Sequence, residues 1–286
     1  MTGGVTPPVP PGRRLPSRRS VALLAGLAVV SVVFPFTVWH ETWFGRPLTD
    51  EELERYLHDA GKPRKIQQAM SQVADRILRA DPAAKRWYAR IVELARHPEA
   101  RIRTMAAWVM GQDNQCQEFH QELPSLLRDA DVMVRRNAAL ALVRFSDPSG
   151  REELVRMLEP YSVAAASDGT VSLPLRLGQE IGAGVLLARI TGAPGETVEV
   201  RAPFAGRVHS VLVQEGRNVK TGEPLVTLAP EFLQVWEALR ALYLVGRIED
   251  LPQVENYIGG APPELRRQAE LTAHAIRIRS EPLPTR

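Results

Sequence analysis

Apolar residues recur along this chain with three different periods, and each period predicts a different body. From Ser20 to Trp39 (SVALLAGLAVVSVVFPFTVW) no residue is charged. At about 1.5 Å rise per residue, a helix of that length crosses a hydrocarbon core of roughly 30 Å, so a membrane helix is predicted over 20–39. Pro35 falls late in the span, where a kink near an interface is tolerated. Residues 50 to 58 and 63 to 80 show helical spacing instead, with Ile66, Met70, Val73 and Ile77 on one stripe. Thr49 and Glu52 form a capping-box pattern, and Gly61 and Pro63 separate the two helices. Between 163 and 229 the period shortens to alternations such as Val198-Glu199-Val200, broken by Gly and Pro, which predict short strands.

The helical part repeats itself. Ile102-Arg103-Thr104-Met105-Ala106-Ala107 aligns with Val134-Arg135-Arg136-Asn137-Ala138-Ala139 at an offset of 32, and again with Leu265-Arg266-Arg267-Gln268-Ala269-Glu270. Each copy follows a second apolar helix (Trp87 to Ala95, Phe119 to Leu127, Leu251 to Ile258), giving helix–turn–helix units. One such unit hides only one face, so neighbours must stack into a solenoid, and the small Ala106, Ala138 and Ala269 permit close helix approach. The V-R-x-x-A-A core resembles that of HEAT repeats, which implies an α-solenoid used mainly as a binding scaffold.

A further inner helix, Val235-Trp236-Glu237-Ala238-Leu239, stands 100 residues after the second copy and 31 before the last. Removing residues 163–229 restores the repeat length, so a foreign β domain is expected inside the third helix pair, with Pro160 and Pro230 at its edges. That insert is duplicated. Gly178, Ile181, Gly184, Leu187 and Ile190 recur 38 residues later as Gly216, Val219, Gly222, Leu225 and Leu228. Turn glycines are expected at Gly178, Gly184, Gly206, Gly216 and Gly222, between strands that share one small flattened barrel.

Ala202-Pro203-Phe204-Ala205-Gly206-Arg207-Val208, followed by Val213 to Leu225, resembles the biotinyl/lipoyl pattern A-P-x-x-G-x-V … V-x-x-G-x-x-V-x-x-G-x-x-L. This resemblance covers about 60 residues. It implies a barrel-sandwich hybrid, a module found in cofactor-carrying arms of enzymes and in HlyD-type membrane-fusion proteins. Carrier members hold a modifiable Lys at the hairpin tip that joins the halves. Here the tip reads Thr191-Gly192-Ala193-Pro194-Gly195, and the insert's one Lys is Lys220, in an ordinary surface turn. No covalent cofactor is therefore expected, and the tip is the candidate partner contact. The long helical hairpin and following β-barrel domain of fusion proteins have no counterpart in this sequence.

Charge and composition refine the compartment. The chain of 286 residues has 36 Lys+Arg against 33 Asp+Glu, but Arg13, Arg14, Arg18 and Arg19 precede the apolar span with no acid among residues 1–39. The remainder is near neutral, so the pI of about 9.2 gives no case for nucleic acid. Arginines on the short N-terminal side place that end in the cytoplasm and the body outside it. Trp39, Trp43, Phe44, Arg18 and Arg19 are the expected membrane-interface residues. A cleaved signal peptide is the rival reading, though FPFTVWHETW offers no small-residue cleavage site, and Ser17-Arg18-Arg19 partly resembles a twin-arginine signal.

Other chemistry is sparse. One Cys excludes an internal disulfide or a Cys-rich metal cage. Zinc-peptidase chemistry fails on ligand count, His209 being the one His of residues 163–229, and Cys116 with His120 makes half a metal site at most. Trp87, Trp108 and Trp236 lie on apolar stripes and are expected in the core, while the 32 Arg are expected on solvated faces and in intra-repeat ion pairs.

The expected protein is mainly α with a β insert. It comprises a basic tail (1–19), a transmembrane anchor (20–39), HEAT-like helices (48–162), a lipoyl-like domain (163–229) and further HEAT-like helices (230–280). The expected function is a non-enzymatic, cofactor-free adaptor or scaffold, anchored in the inner membrane and facing the periplasm. Its partners would be envelope or inner-membrane proteins, such as an efflux or secretion transporter, with lipid contacted through the N-terminal helix. The alternatives are an assembly factor or accessory subunit of a membrane complex, and a carrier or regulatory subunit of an enzyme.

Overall fold

The computed structural model describes residues 46–193 and 195–281. The tail, the apolar span, Trp39, Trp43, Phe44, Arg18, Arg19 and Pro194 lie outside the described residues. No helix among the described residues is long and apolar enough to cross a membrane. The chain divides into two compact units, 1–51 and 52–286. Of the first, residues 46–49 lack regular structure and Asp50 opens helix α1 (Asp50–Leu57).

The second unit is built from helix pairs. After α1 come α2 (Pro63–Leu78), α3 (Tyr88–Leu94), α4 (Ala100–Met110), α5 (Gln117–Leu126), α6 (Val132–Arg144) and α7 (Arg151–Arg156). Past the β domain follow α8 (Phe232–Val245), α9 (Leu251–Glu255) and α10 (Pro263–Ser280). The second helices of successive pairs form one layer, in which α2 packs on α4, α4 on α6, α6 on α8 and α8 on α10. Ala106, Ala138, Ala238 and Ala269 are all fully buried in that layer, where a larger side chain would hold the helices apart. Helix α2 carries no V-R-x-x-A-A core, yet it extends the layer by burying Ile66, Met70 and Val73. Each such side chain contributes about 1.5–3 kcal/mol by leaving water.

The motif arginine has a defined task. Arg103 donates backward to the carbonyls of His97 and Pro98 in its own inter-helix turn, and forward to both Asp129 carboxylate oxygens at 2.6 and 2.8 Å. Arg135 repeats this one unit on, donating to the Asp129 and Ala130 carbonyls and to Glu153. Arg266 keeps the backward bond, to Ala261. Arg103 and Arg135 thus tie one repeat to the next, where the sequence suggested intra-repeat pairing.

The array is continuous around the β domain. Arg151 of α7 pairs with Asp250 at 3.0 Å, Tyr257 donates to the Leu158 carbonyl at 2.6 Å, and Thr272 donates to the Leu239 carbonyl at 2.9 Å. The first two of these contacts join residues on either side of the insert. Arg279 of α10 also caps the end of α8, donating to the carbonyls of Tyr243 and Gly246.

The insert has eight strands: β1 (Tyr161–Ala164), β2 (Gly169–Ser172), β3 (Glu180–Ile181), β4 (Leu186–Thr191), β5 (Thr197–Arg201), β6 (Gly206–Val211), β7 (Asn218–Val219) and β8 (Pro224–Pro230). They form two four-stranded sheets, ordered β1-β8-β6-β3 and β5-β4-β2-β7. Exchanging β1–β4 with β5–β8 converts one order into the other, so the sequence duplication is a two-fold relation between sheets. Its turns match bond for bond. Gly178 donates to Val208 and Gly216 to Val171, both at 2.9 Å, while Gly184 donates to Ala202 and Gly222 to Ala165, both at 2.8 Å. All four glycines have φ between 76° and 84°, the left-handed region that disfavours a side chain.

Gly206 departs from the turn role expected of it. It opens β6, and a Cβ there would lie 2.6 Å from the Ala229 carbonyl oxygen, so close strand approach is what its lack of a side chain permits.

Candidate interaction surfaces

The hairpin tip and the solenoid lie at opposite ends of the insert. Strands β4 and β5 pair from Thr191↔Thr197 at the tip to Leu186↔Arg201 at the other end. Past that other end, the turn Pro203–Ala205 meets the helices. The tip closes through Gly192, which donates to the Glu196 carbonyl at 2.9 Å, and Gly195, which donates to the Gly192 carbonyl at 3.1 Å with φ +82°. Thr191, Ala193 and Gly195 are exposed and Gly192 is half-buried. Thr191, Gly192, Ala193 and Gly195 are therefore presented together, away from the helices.

Two neighbouring turns share that end of the insert. Strand β2 pairs with both β4 and β7, setting Thr170 opposite Thr191 and Gly169 opposite Val219. Lys220 thus stands on the same end as the tip but on the next turn, exposed. Asp168 beside it accepts hydrogen bonds from the Thr221 amide and hydroxyl at 2.7 and 2.8 Å, which hold its carboxyl below the usual carboxylate range.

At the opposite end, α6 joins the insert to the array. Val132 belongs to the β-domain core and Met133 packs against it. Arg136, one position after the motif arginine, is 2% exposed, against the solvated position expected for it. Its guanidinium carbon lies 3.9 Å from the Phe204 ring centroid and 5.7 Å from that of Tyr161. Its Nη1 donates to the Gln234 side chain of α8 at 2.9 Å, and Gln234 donates in turn to the Ala205 carbonyl at 3.2 Å. Nε lies 3.9 Å from Glu153 and makes no hydrogen bond. Burial pushes the guanidinium down to about 10, Glu153 and Tyr161 acting the other way, so it remains a cation at neutral pH.

Beside this joint the second-helix layer and the insert enclose a cleft of about 440 Å³. Met105, Trp108, Met133 and Pro203 supply its apolar lining, with Gln67, Arg101, Thr104, Asp131 and Asn137 as polar lining. Trp108 is 40% exposed, a correction to its expected place in the core, whereas Trp87 is buried and Trp236 is half-buried beside Phe232. The period of α4 places Ile102, Ala106 and Val109 inward, which leaves Arg101, Met105 and Trp108 on the neighbouring stripe, about 100° round the helix.

The Cys116–His120 pair does not converge. Cys116 donates to Glu118 at 3.2 Å, while His120 pairs with Asp147 at 2.7 Å and stacks on Phe145. Among the described residues no cluster of His, Cys, Asp and Glu has the makings of a metal site.

The comparisons with known proteins fall on these two bodies. The HEAT-repeat family model matches residues 79–167, and the biotin/lipoyl model, described as "Biotin-requiring enzyme", matches residues 196–228. The chain carries HEAT repeats and a biotinyl/lipoyl-type domain. The second match covers β5 to most of β8, one half of the two-fold body. No curated protein matches the chain. Among solved structures, the apo ectoine utilization protein EutE (DoeB) from Ruegeria pomeroyi is 31% identical over 24% of this chain and 22% of that one, with a TM-score of 0.23. A single-chain, multi-domain long-chain acyl-CoA carboxylase is 22% identical over 43% of this chain and 14% of that one, with a TM-score of 0.24. The chain thus spans under a quarter of the length of either. HEAT repeats carrying a biotin/lipoyl-type domain support a scaffold or accessory role.

Proposed function

We propose that this protein is a membrane-anchored adaptor without catalytic activity, whose β domain is a docking module, not a carrier arm. The observation that carries this reading is the lysine-free tip, Thr191 to Gly195, presented at the end of the insert opposite its joint with the helices. A carrier needs an amine there for the amide to its prosthetic group; a docking turn needs exposure and a fixed base, and the Thr191↔Thr197 ladder end provides that base. The apolar run Ser20–Trp39, with its N-terminal arginines, supports an anchor in the inner membrane and a periplasmic body. The resemblance to HlyD-type membrane-fusion proteins favours an efflux or secretion transporter as the partner, and a membrane-complex assembly factor is the neighbouring reading.

The test is a photo-crosslinking residue in place of Ala193, used in native membranes. A transporter or membrane-complex subunit captured through this position supports the adaptor; its absence from all crosslinks contradicts it. A reporter fused after residue 45 should show export, and cytoplasmic reporter activity would overturn the topology.

A carrier reading has one observation in its favour, the position of Lys220 on the same end of the domain as the tip. Its amine would serve as the attachment point, and the mass of the native protein decides that question.

A further inference from the structure

The apolar cleft between the helices and the insert does not end at Arg101. A second hollow of about 400 Å³ adjoins it, lined by Lys62, Pro63, Arg64, Lys65, Glu99 and Arg101, so the Arg101 side chain borders both. The second hollow brings four cations against the single carboxylate of Glu99. Glu99 lies 3.3 Å from Arg101, and Lys65 lies 3.4 Å from Asp59, while Lys62 and Arg64 have no acidic partner among the described residues. The first hollow is the reverse, with Met105, Trp108, Met133 and Pro203 as its apolar lining and Asp131 already used as the N-cap of α6.

From this juxtaposition we infer a bipartite docking groove for an acidic linear segment of a partner protein, one or two bulky apolar side chains entering beside Trp108 and flanking carboxylates meeting Arg101, Lys62 and Arg64. Charge complementarity selects the occupant. A neutral or basic segment would leave Lys62 and Arg64 uncompensated in the second hollow, and a purely acidic one would leave Trp108 and Met105 uncovered. Pro203 gives the groove a feature that helical repeats alone would lack, since one wall belongs to the inserted domain. Trp and Arg are also the residue types that concentrate binding energy at interfaces. The groove stands apart from the hairpin tip, and it holds or fails independently of the membrane reading.

The test is selection of a random dodecapeptide display library on the immobilised full-length protein in detergent, with Arg101→Glu/Trp108→Ala as the counter-target. The expected result is enrichment of peptides with Phe, Leu or Trp flanked by Asp or Glu, lost on the double variant. Labelled copies of an enriched peptide should bind at least tenfold more weakly to Arg101→Glu and to Trp108→Ala, both of which replace exposed side chains. Lys62→Glu provides a second charge variant, expected to weaken binding in the same direction, with folding of every variant checked by circular dichroism. Enrichment of basic or neutral peptides, enrichment that survives on the double variant, or no enrichment would overturn the proposal. Binding of anionic phosphatidylglycerol vesicles that depends on Arg101 and Trp108, with no peptide selected, would overturn it in favour of a lipid surface.

Discussion

The guanidinium of Arg136 in the solenoid lies 3.9 Å from the ring centroid of Phe204 in the insert, with both residues almost fully buried. This stack, braced by Gln234 and Glu153, joins two bodies that the chain connects only at 156–161 and 230–232. In the absence of solvent, a cation over an aromatic face is worth about 2 kcal/mol. A double-mutant cycle of Arg136→Ala and Phe204→Ala should give a coupling energy of about 1–2 kcal/mol in urea denaturation. Additive effects would mean that the joint rests on area alone.

The Arg103–Asp129 pair predicts an acid-sensitive increment. Asp129 is held below the usual carboxylate range chiefly by its bonds from Arg103, so its folded pKa lies below its unfolded one. A depressed folded value stabilises above the unfolded pKa of about 3.9 and is lost as pH falls through the folded value. Asp129→Asn should therefore destabilise by about 1–3 kcal/mol at pH 7, and its difference from wild type should shrink below about pH 4. A difference that is constant down to pH 2 would remove the ion pair as its cause.

Two glycines separate close packing from open space. A Cβ on Gly150 would sit 2.6 Å from the Cα of Ala139 in α6, whereas one on Gly259 would meet nothing within 4 Å. Gly150→Ala should lower stability by about 1–3 kcal/mol, because α6 must move. Gly259→Ala should be neutral or gain up to about 1 kcal/mol through the unfolded chain. Thermal melts of the two variants check both, and equal melting temperatures would contradict the packing.

Cys116 should be a poor nucleophile. Burial, aided by the neighbouring Glu118, pushes its thiol up to about 11, so little thiolate exists at neutral pH. Alkylation by iodoacetamide at pH 7.5 should be slow in the native protein and rise sharply on unfolding. Equal rates in the two states would refute the buried, protonated thiol.

Much of this architecture is legible in the residues because it is local. The V-R-x-x-A-A cores are read from six consecutive positions, and the glycine pairs of the β halves from a fixed offset. Arg136 is not legible in this way. It stands beside the equally basic Arg135, and only the arrival of Phe204, 68 residues later in the chain, makes one half-buried and forward-reaching and the other fully buried. Trp108 misleads for a related reason, since an aromatic on a helix reads as core until the neighbouring stripe of Ile102, Ala106 and Val109 is seen to fill the interior. Gly206 reads as a turn glycine from its motif, while its actual constraint is a carbonyl on the adjacent strand. The groove that shares Arg101 combines three helices and a loop of the insert, and no local pattern announces it.

The account turns on whether the β domain bears a prosthetic group. Intact-mass spectrometry of the protein purified from its native cells, with peptide mapping over Lys220, answers this directly. The account predicts unmodified Lys220 and no biotinyl or lipoyl increment anywhere in residues 161–230. An increment of either group would contradict it and return the domain to carrier chemistry.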